Sequence, residues 1–258
     1  MTIIVLGATA ILLSVLERLP QIRFKPSAVF RRYFMTDIVY MLTGFVAGGS
    51  LATLYIVAAS EWLGSGLGLP RLTSVNLPLW ASVPLAVVTL DLGNYVAHYY
   101  LHRSDLLWEF HKIHHSSLTL DWLATFRSHL VEQIFRRLIA PAVLIIVGFP
   151  LNSVLIAGGV FIVWAMLNHS NLRLNLGPLE AVLITPRLHR VHHLYRTSEK
   201  NLGTIFTFWD RLRGTFVFVE TNEKSLFGNG DATYPQNWLS QLAEPVLRII
   251  RPSRRWAQ

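Results

Sequence analysis

The chain has 258 residues, 52% of them hydrophobic and 15% charged, with a formal net charge of +8 at pH 7. Soluble globular domains carry about 25% charged residues, so this composition, with a mean hydropathy of +0.40, excludes an ordinary soluble domain and points to a single integral-membrane domain over 1–258. The absence of cysteine excludes disulfides, thiolate zinc sites, iron–sulfur clusters and cysteine nucleophiles; the positive charge reads as anchoring against anionic lipid, and nucleic-acid binding is not expected.

Five apolar segments are predicted. The first, about 2–16, lacks the basic start and small-residue cleavage site of a signal peptide and reads as a retained helix. Arg18, Arg23, Lys25, Arg31 and Arg32 follow it. The second runs about 38–59 between Asp37 and Glu61, and the third about 77–101. Both exceed the roughly 20 residues that cross a bilayer core. The fourth and fifth, about 138–149 and 152–168, flank a turn at Phe149-Pro150-Leu151-Asn152. Being shorter, they form a spanning hairpin or one that dips in and returns. In the tail, 218–258, Leu239 to Ile250 has the pattern of an amphipathic helix for the membrane surface or the cap.

Lys and Arg crowd 18–35, 102–137 and the chain from Arg187 onward, whereas 60–76 holds only Arg71. The positive-inside rule therefore puts the three basic stretches on the cytoplasmic side. The ends of the third and fifth segments meet at that face.

All ten histidines fall between positions 98 and 193, eight of them in three motifs. His98 and His102 form an HxxxH. His111, His114 and His115 form an HxxHH, and His189, His192 and His193 a second. On a helix, residues three and four apart share a face. HxxxH thus points two imidazoles one way, and HxxHH points its outer pair one way and its middle ring toward a neighbouring site. Three such motifs, with His129 and His169 brought near by the topology, exceed the four ligands of a structural zinc and suit two ions. Imidazole accepts zinc, copper, iron or nickel. Asp91 lies on the stripe of Tyr95, His98 and His102 in an otherwise apolar helix, where an ionisable group is expensive; it serves either to orient a histidine or to pack helices or bond backbone. Glu132, three residues after His129, is a second such candidate or a surface charge.

The wording around these motifs resembles the fatty acid hydroxylase / sterol desaturase superfamily, most closely its compact bacterial members, over roughly 37–217. Leu107-Trp108-Glu109-Phe110-His111-Lys112-Ile113-His114-His115-Ser116 is similar to the family's first HxxHH block. Phe126-Arg127-Ser128-His129 with Glu132, Asn168-His169-Ser170-Asn171, Thr185-Pro186-Arg187-Leu188-His189-Arg190-Val191-His192-His193 and Phe208-Trp209-Asp210-Arg211-Leu212 are similar to later blocks. Leu130 departs from the usual proline and Leu202 from the usual tyrosine, which leaves local loop detail open.

The resemblance implies an all-α membrane fold of about four to five apolar helices, with a cytoplasmic helical cap (about 98–137 and 169–217) carrying a His-rich di-metal site. It implies two non-haem irons, with zinc able to replace them during purification. It also implies O2-dependent hydroxylation or desaturation of a lipid substrate reached from the bilayer between the third and fifth segments, in a bacterial inner membrane. Electrons come from a separate donor protein, because no G-x-G-x-x-G or haem motif is present. Carried over by motif, the ligands are His98, His102, His111, His114, His115, His189, His192 and His193, with His169 a further ligand and His129 a candidate. Asn168 or Asn171 holds a ligand water or caps a helix. Asp210 and Arg211 brace ligand histidines or pair with each other. The rival readings are a di-zinc membrane hydrolase, and a non-enzyme such as a metal carrier or bis-histidine haem protein.

Overall fold

The apolar blocks set the architecture of the computed structural model, which describes residues 2–44, 54, 55, 58, 59, 62 and 77–250. The described residues form helices α1 (Thr2–Leu16), α2 (Phe34–Thr43), α3 (Leu79–Arg103), α4 (Asp105–His115), α5 (Leu130–Ile139), α6 (Ala142–Val147), α7 (Leu151–His169), α8 (Pro186–His192), α9 (Phe208–Arg213) and α10 (Trp238–Ile250). They contain no β-strand. Isolated bridges tie loops together, among them Arg23 with Leu172.

The first, third and fifth apolar segments are α1, α3 and α7. The second begins earlier than expected, at Phe34, and its continuation past Gly44 lies largely outside the described residues, as does the 60–76 loop. The fourth is not one continuous helix. Pro141 lacks an N–H and cannot extend the helix before it, so 138–149 divides into the end of α5 and the six-residue α6. Gly148, at φ 73°, then reverses the chain. Only α3 and α7, among the described residues, are long and apolar enough to cross a membrane.

These two helices lie parallel. Ser82 and Ser153 meet through a 2.8 Å hydroxyl–hydroxyl hydrogen bond, and they precede His98 and His169 by the same number of residues. At about 1.5 Å per residue, the histidines lie roughly 24 Å further along, close to one face of a hydrocarbon core about 30 Å thick. Ala86 and Ala157 continue the seam, packed with Leu144 of α6 and Phe149. Polar and small residues at such an interface let helices approach closely in lipid. The seam therefore joins the two helices at the end away from the histidines. Only 39% and 33% of the apolar windows of α3 and α7 are buried. Trp80, Leu85, Leu151 and Leu155 are exposed, as on a helix facing lipid rather than a soluble core.

The remaining elements gather at the histidine end. α1 packs on α7 through Leu13 and Met166. Tyr40 of α2, Ile113 of α4 and Tyr234 form a separate core with Trp238 of α10, so the amphipathic tail helix packs on the cap. The α5–α6 arm is held against α3 at Gly93, where an added Cβ would lie 2.4 Å from the Ala140 carbonyl oxygen and 2.8 Å from its Cα. Backbone cannot yield as a flexible side chain can. Gly93→Ala is therefore expected to destabilise the protein by about 1–3 kcal/mol, the usual range for overpacking. A lowered midpoint in detergent-phase thermal unfolding checks it, and an unchanged midpoint would show that the arm is free to move.

Candidate metal centre

Local sequence explains how each motif reaches the site. α3 carries His98 and His102 one turn apart on its last turns, and its Ser104 C-cap is also the N-cap of α4, accepting the Leu107 N–H at 3.4 Å. The chain thus doubles back at once and sets His111, His114 and His115 against His98 and His102. α7 ends on His169. Thr185-Pro186 opens α8, where proline at the first turn is tolerated because its missing N–H has no helical partner. α8 then presents His189 and His192, with His193 as its C-cap.

Nine of the ten histidines converge in two groups. His98, His102, His111, His115 and His192 form one, and His114, His169, His189 and His193 the other. All nine are buried. The two HxxHH motifs are used in opposite senses. In α4 the outer pair joins the first group and the middle ring the second; in α8 the outer pair joins the second and the middle ring the first. Rings of the two groups touch, with His115 and His193 stacked at 4.7 Å between centroids.

The ring nitrogens fit a bound cation. His98 donates its Nδ1 hydrogen to the Leu202 carbonyl at 2.8 Å, and His111 donates to Glu132 at 2.9 Å. Their Nε2 atoms are then bare lone pairs, yet they lie 3.2 Å apart. The same holds for His114, donating to the Arg127 carbonyl, and His169, donating to the Ala165 carbonyl, whose Nε2 atoms lie 3.1 Å apart. Two facing lone pairs repel unless a proton or a metal ion lies between them. Protonation is disfavoured, because burial holds His111 and His114 below the ordinary histidine range. Burial, then neighbouring rings, acts likewise on His115, His189, His192 and His193. Imidazoles about 2.0–2.1 Å from one ion have neighbouring nitrogens roughly 2.9–3.4 Å apart, and the Nε2 pairs of 3.1–3.3 Å match this.

Groups outside the rings fix their orientation. Glu132 Oε1 accepts from His111 and, at 2.8 Å, from Arg136 Nε. The Arg136 charge and the hydrogen bond from His111 hold its carboxyl below the ordinary range, despite burial. Of Asp91, Glu132 and Asp210, Glu132 is thus the carboxylate that reaches a histidine directly. Removing such a partner lowers metal affinity about 10–100-fold. Glu132→Gln is accordingly expected to weaken the five-histidine site by that factor and spare the other, read as metal retained under graded chelator. Equal loss from both sites would contradict the assignment.

Asp91 takes the backbone-bonding alternative. Its oxygens accept the backbone N–H groups of Ile205 and Phe206 and the indole N–H of Trp209, so it satisfies the loop before α9 rather than a histidine. Asp210 acts one step removed. It accepts the N–H groups of Leu202 and Gly203, and Leu202 in turn orients His98. Arg211 makes no pair with Asp210; its guanidinium donates to the Ala181 carbonyl and stacks on Phe216. His129 lies outside both groups: its Nδ1 accepts the Val131 N–H as the cap of α5, and its Nε2 donates to the Leu242 carbonyl. Both nitrogens are committed locally. Asn168 donates to the Thr204 carbonyl at 2.6 Å, while Asn171 bridges Lys25.

Sequence reasoning missed the role of backbone carbonyls. Leu202, Arg127, Ala165 and Lys200 each receive an imidazole N–H, and any side chain can offer that group. It also missed Asp37, which joins Arg31 at 2.6 Å and Arg127 at 2.5 Å in a buried network with Asp121. Trp108 packs on His102 and His115, with centroids 5.0 and 5.3 Å away. A cavity of about 310 Å³, bordered by Tyr99, Arg103, Lys200 and Arg213, reaches His102 from outside.

The family model for fatty acid hydroxylase matches residues 83–215, which contain every residue of both histidine groups. The chain is 34% identical over 173 residues to ornithine lipid hydroxylase OlsE of Rhizobium tropici, covering 66% of this chain and 52% of that protein. It is 33% identical over 176 residues to human (Homo sapiens) alkylglycerol monooxygenase, covering 63% of this chain and 36% of that protein. It is 32% identical over 142 residues to the Delta(7)-sterol 5(6)-desaturase of Candida glabrata, covering 53% and 35%. The chain thus spans about half or less of the length of these relatives. No solved structure matches it.

Proposed function

Because the chain belongs to the fatty acid hydroxylase family, we propose that it is an integral-membrane, non-haem di-iron oxidoreductase that uses O2 to hydroxylate or desaturate C–H bonds of a lipid-like substrate. The observation that carries this reading is the pair of all-imidazole groups at the common end of two apolar helices. A lipid in the bilayer and a solvent-side electron donor both have access to that level. In this reading α3 and α7 cross a bacterial inner membrane, and the basic stretches hold the centre on the cytoplasmic side.

The nine clustered histidines are the proposed ligands, five for one iron and four for the other. Two irons held there would activate O2, which is the oxidant for the C–H bond, with the two further electrons coming from the separate donor. The chain's own residues do the rest. Leu202, Arg127, Ala165 and Lys200 hold the Nδ1 protons and so keep Nε2 free for metal. Glu132 does so with a charge, which makes His111 the more basic ligand. Trp108 covers the five-histidine group on one side and limits water there. The cavity beside His102, with Arg103, Lys200 and Arg213 on its rim, is the approach for a separate electron-donor protein.

A di-zinc hydrolase would mix carboxylates among its ligands, and neither group contains one among the described residues. Metal content and oxygen uptake separate the two readings. Protein purified anaerobically and loaded with iron(II) is expected to hold about two irons per chain and to consume O2 only with both lipid extract and reductant. Tight zinc that iron cannot replace, with lipid cleavage and no O2 uptake, would overturn the proposal.

A further inference from the structure

A second cavity, of about 600 Å³, lies away from the Tyr99–His102 cleft and holds an excess of positive charge. Arg173, Arg187, Arg190 and Lys224 line it against Glu220 and Glu223, with Phe24 on its wall. Two of the cations are neutralised: Arg173 reaches Glu223 at 2.5 Å, and Arg187 reaches Glu180 at 2.7 Å. Arg190 is not. It is 2% exposed, and its guanidinium has no carboxylate within ion-pair distance among the described residues. It donates to the carbonyls of Leu172, at 2.9 Å, and Ser170, at 3.4 Å, and lies over the Phe24 ring at 4.0 Å. Its Nε is buried with no partner, and so is the Nε of Arg187 beside it.

A buried, unpaired guanidinium is expensive. Arg187 and Arg190 both line this cavity, and guanidinium groups side by side at one wall are what a tetrahedral oxyanion pairs with, through several charge-assisted bonds at once. Position points to the source of that anion. The cavity is built from 173–175, just past the end of α7, and from Phe24, after the end of α1. The Arg23–Leu172 bridge and the 2.6 Å bond from the Arg173 N–H to the Ile22 carbonyl join these two segments. Apolar helix gives way to polar chain at this level, which is where lipid phosphates lie. The volume falls in the range of small-ligand sites.

We propose that this cavity is a binding site for the phosphate headgroup of an anionic membrane lipid, with Arg190 and Arg187 as its floor and Arg173 and Lys224 as its rim. The site rests on the reading that α7 crosses the membrane, and holds whichever metal the centre carries.

Calorimetric titration of the full-length, metal-loaded protein in detergent tests it, with dihexanoyl phosphatidic acid, dihexanoyl phosphatidylcholine and inorganic phosphate as probes. Phosphatidic acid is expected to bind at least tenfold more tightly than either other probe and to be competed by excess phosphate. Arg190→Met is expected to weaken it tenfold or more, and Arg173→Gln and Lys224→Gln about threefold each. Because Arg190 also ties carbonyls, the two rim variants carry the test if Arg190→Met fails to fold; unchanged metal content shows that they are intact. Inorganic phosphate binding as tightly as the lipid would overturn the membrane source and leave a soluble anion. Unchanged lipid affinity in both rim variants would overturn the site.

Discussion

Replacing His193 with alanine is expected to leave about one tightly held metal ion per chain, whereas replacing His192, its neighbour, strips the other ion and only under chelation. The two side chains are adjacent in sequence but enter different groups: His192 joins His98, His102, His111 and His115, and His193 joins His114, His169 and His189. The second group has four imidazoles and falls to three. The first has five and still keeps four, the number that fills a structural zinc site. In the proposed reaction turnover needs both ions with their full ligand sets, so each variant is expected to lose activity by at least about a thousandfold, roughly 4 kcal/mol of barrier. Metal per chain by mass spectrometry, before and after graded chelation, reads the first effect, and lipid-dependent oxygen uptake reads the second. If both variants lost both ions together, the alternating use of the two motifs would be wrong. Full turnover in either would sink the metal assignment.

That alternation was legible from spacing. HxxHH on a helix forces the middle ring away from the outer pair, and two such helices facing one another define two sites with no knowledge of the loops between them. The end-to-end match of His98 with His169 was legible too, because it followed from where two apolar segments stop. Elsewhere local pattern was a poor guide. Asp91 shares a stripe with His98 and His102, and spacing alone left open whether it orients a histidine or bonds backbone; the unpaired N–H groups of Ile205, Phe206 and Trp209 decide for the second. His129 sits in a block that resembles a family element, yet it caps α5. The segment 138–149 has the hydropathy of a span but contains Pro141, whose effect on the helix outweighs average apolarity. Glu132 could be read as a surface charge until the arm folded back and buried it against His111.

Asp37→Leu is the variant expected to damage the fold most, although Asp37 touches no histidine. Its carboxylate, fully buried, receives Arg31 Nη2 on one oxygen and Arg127 Nε on the other. Arg31 keeps a second partner in Asp121, bound through both Nε and Nη2 at 2.6 and 2.7 Å. Arg127 does not: what remains is the Ser116 hydroxyl at 3.3 Å and the Gln236 amide oxygen at 2.9 Å. Removing one member of a buried ion pair leaves an uncompensated charge and costs about 3–5 kcal/mol. Arg127 also supplies the carbonyl that orients His114, so backbone movement there propagates into the four-histidine group. Asp37→Leu is therefore expected to lower thermal stability sharply and to release metal from that group before the other. Arg127→Met, which removes the charge but keeps the carbonyl, separates the two effects. In the Asp37→Leu/Arg127→Met double variant no buried charge on Arg127 remains unpaired, so much of the stability is expected to return. A coupling energy near zero in that cycle would mean that Asp37 supports the centre by packing alone.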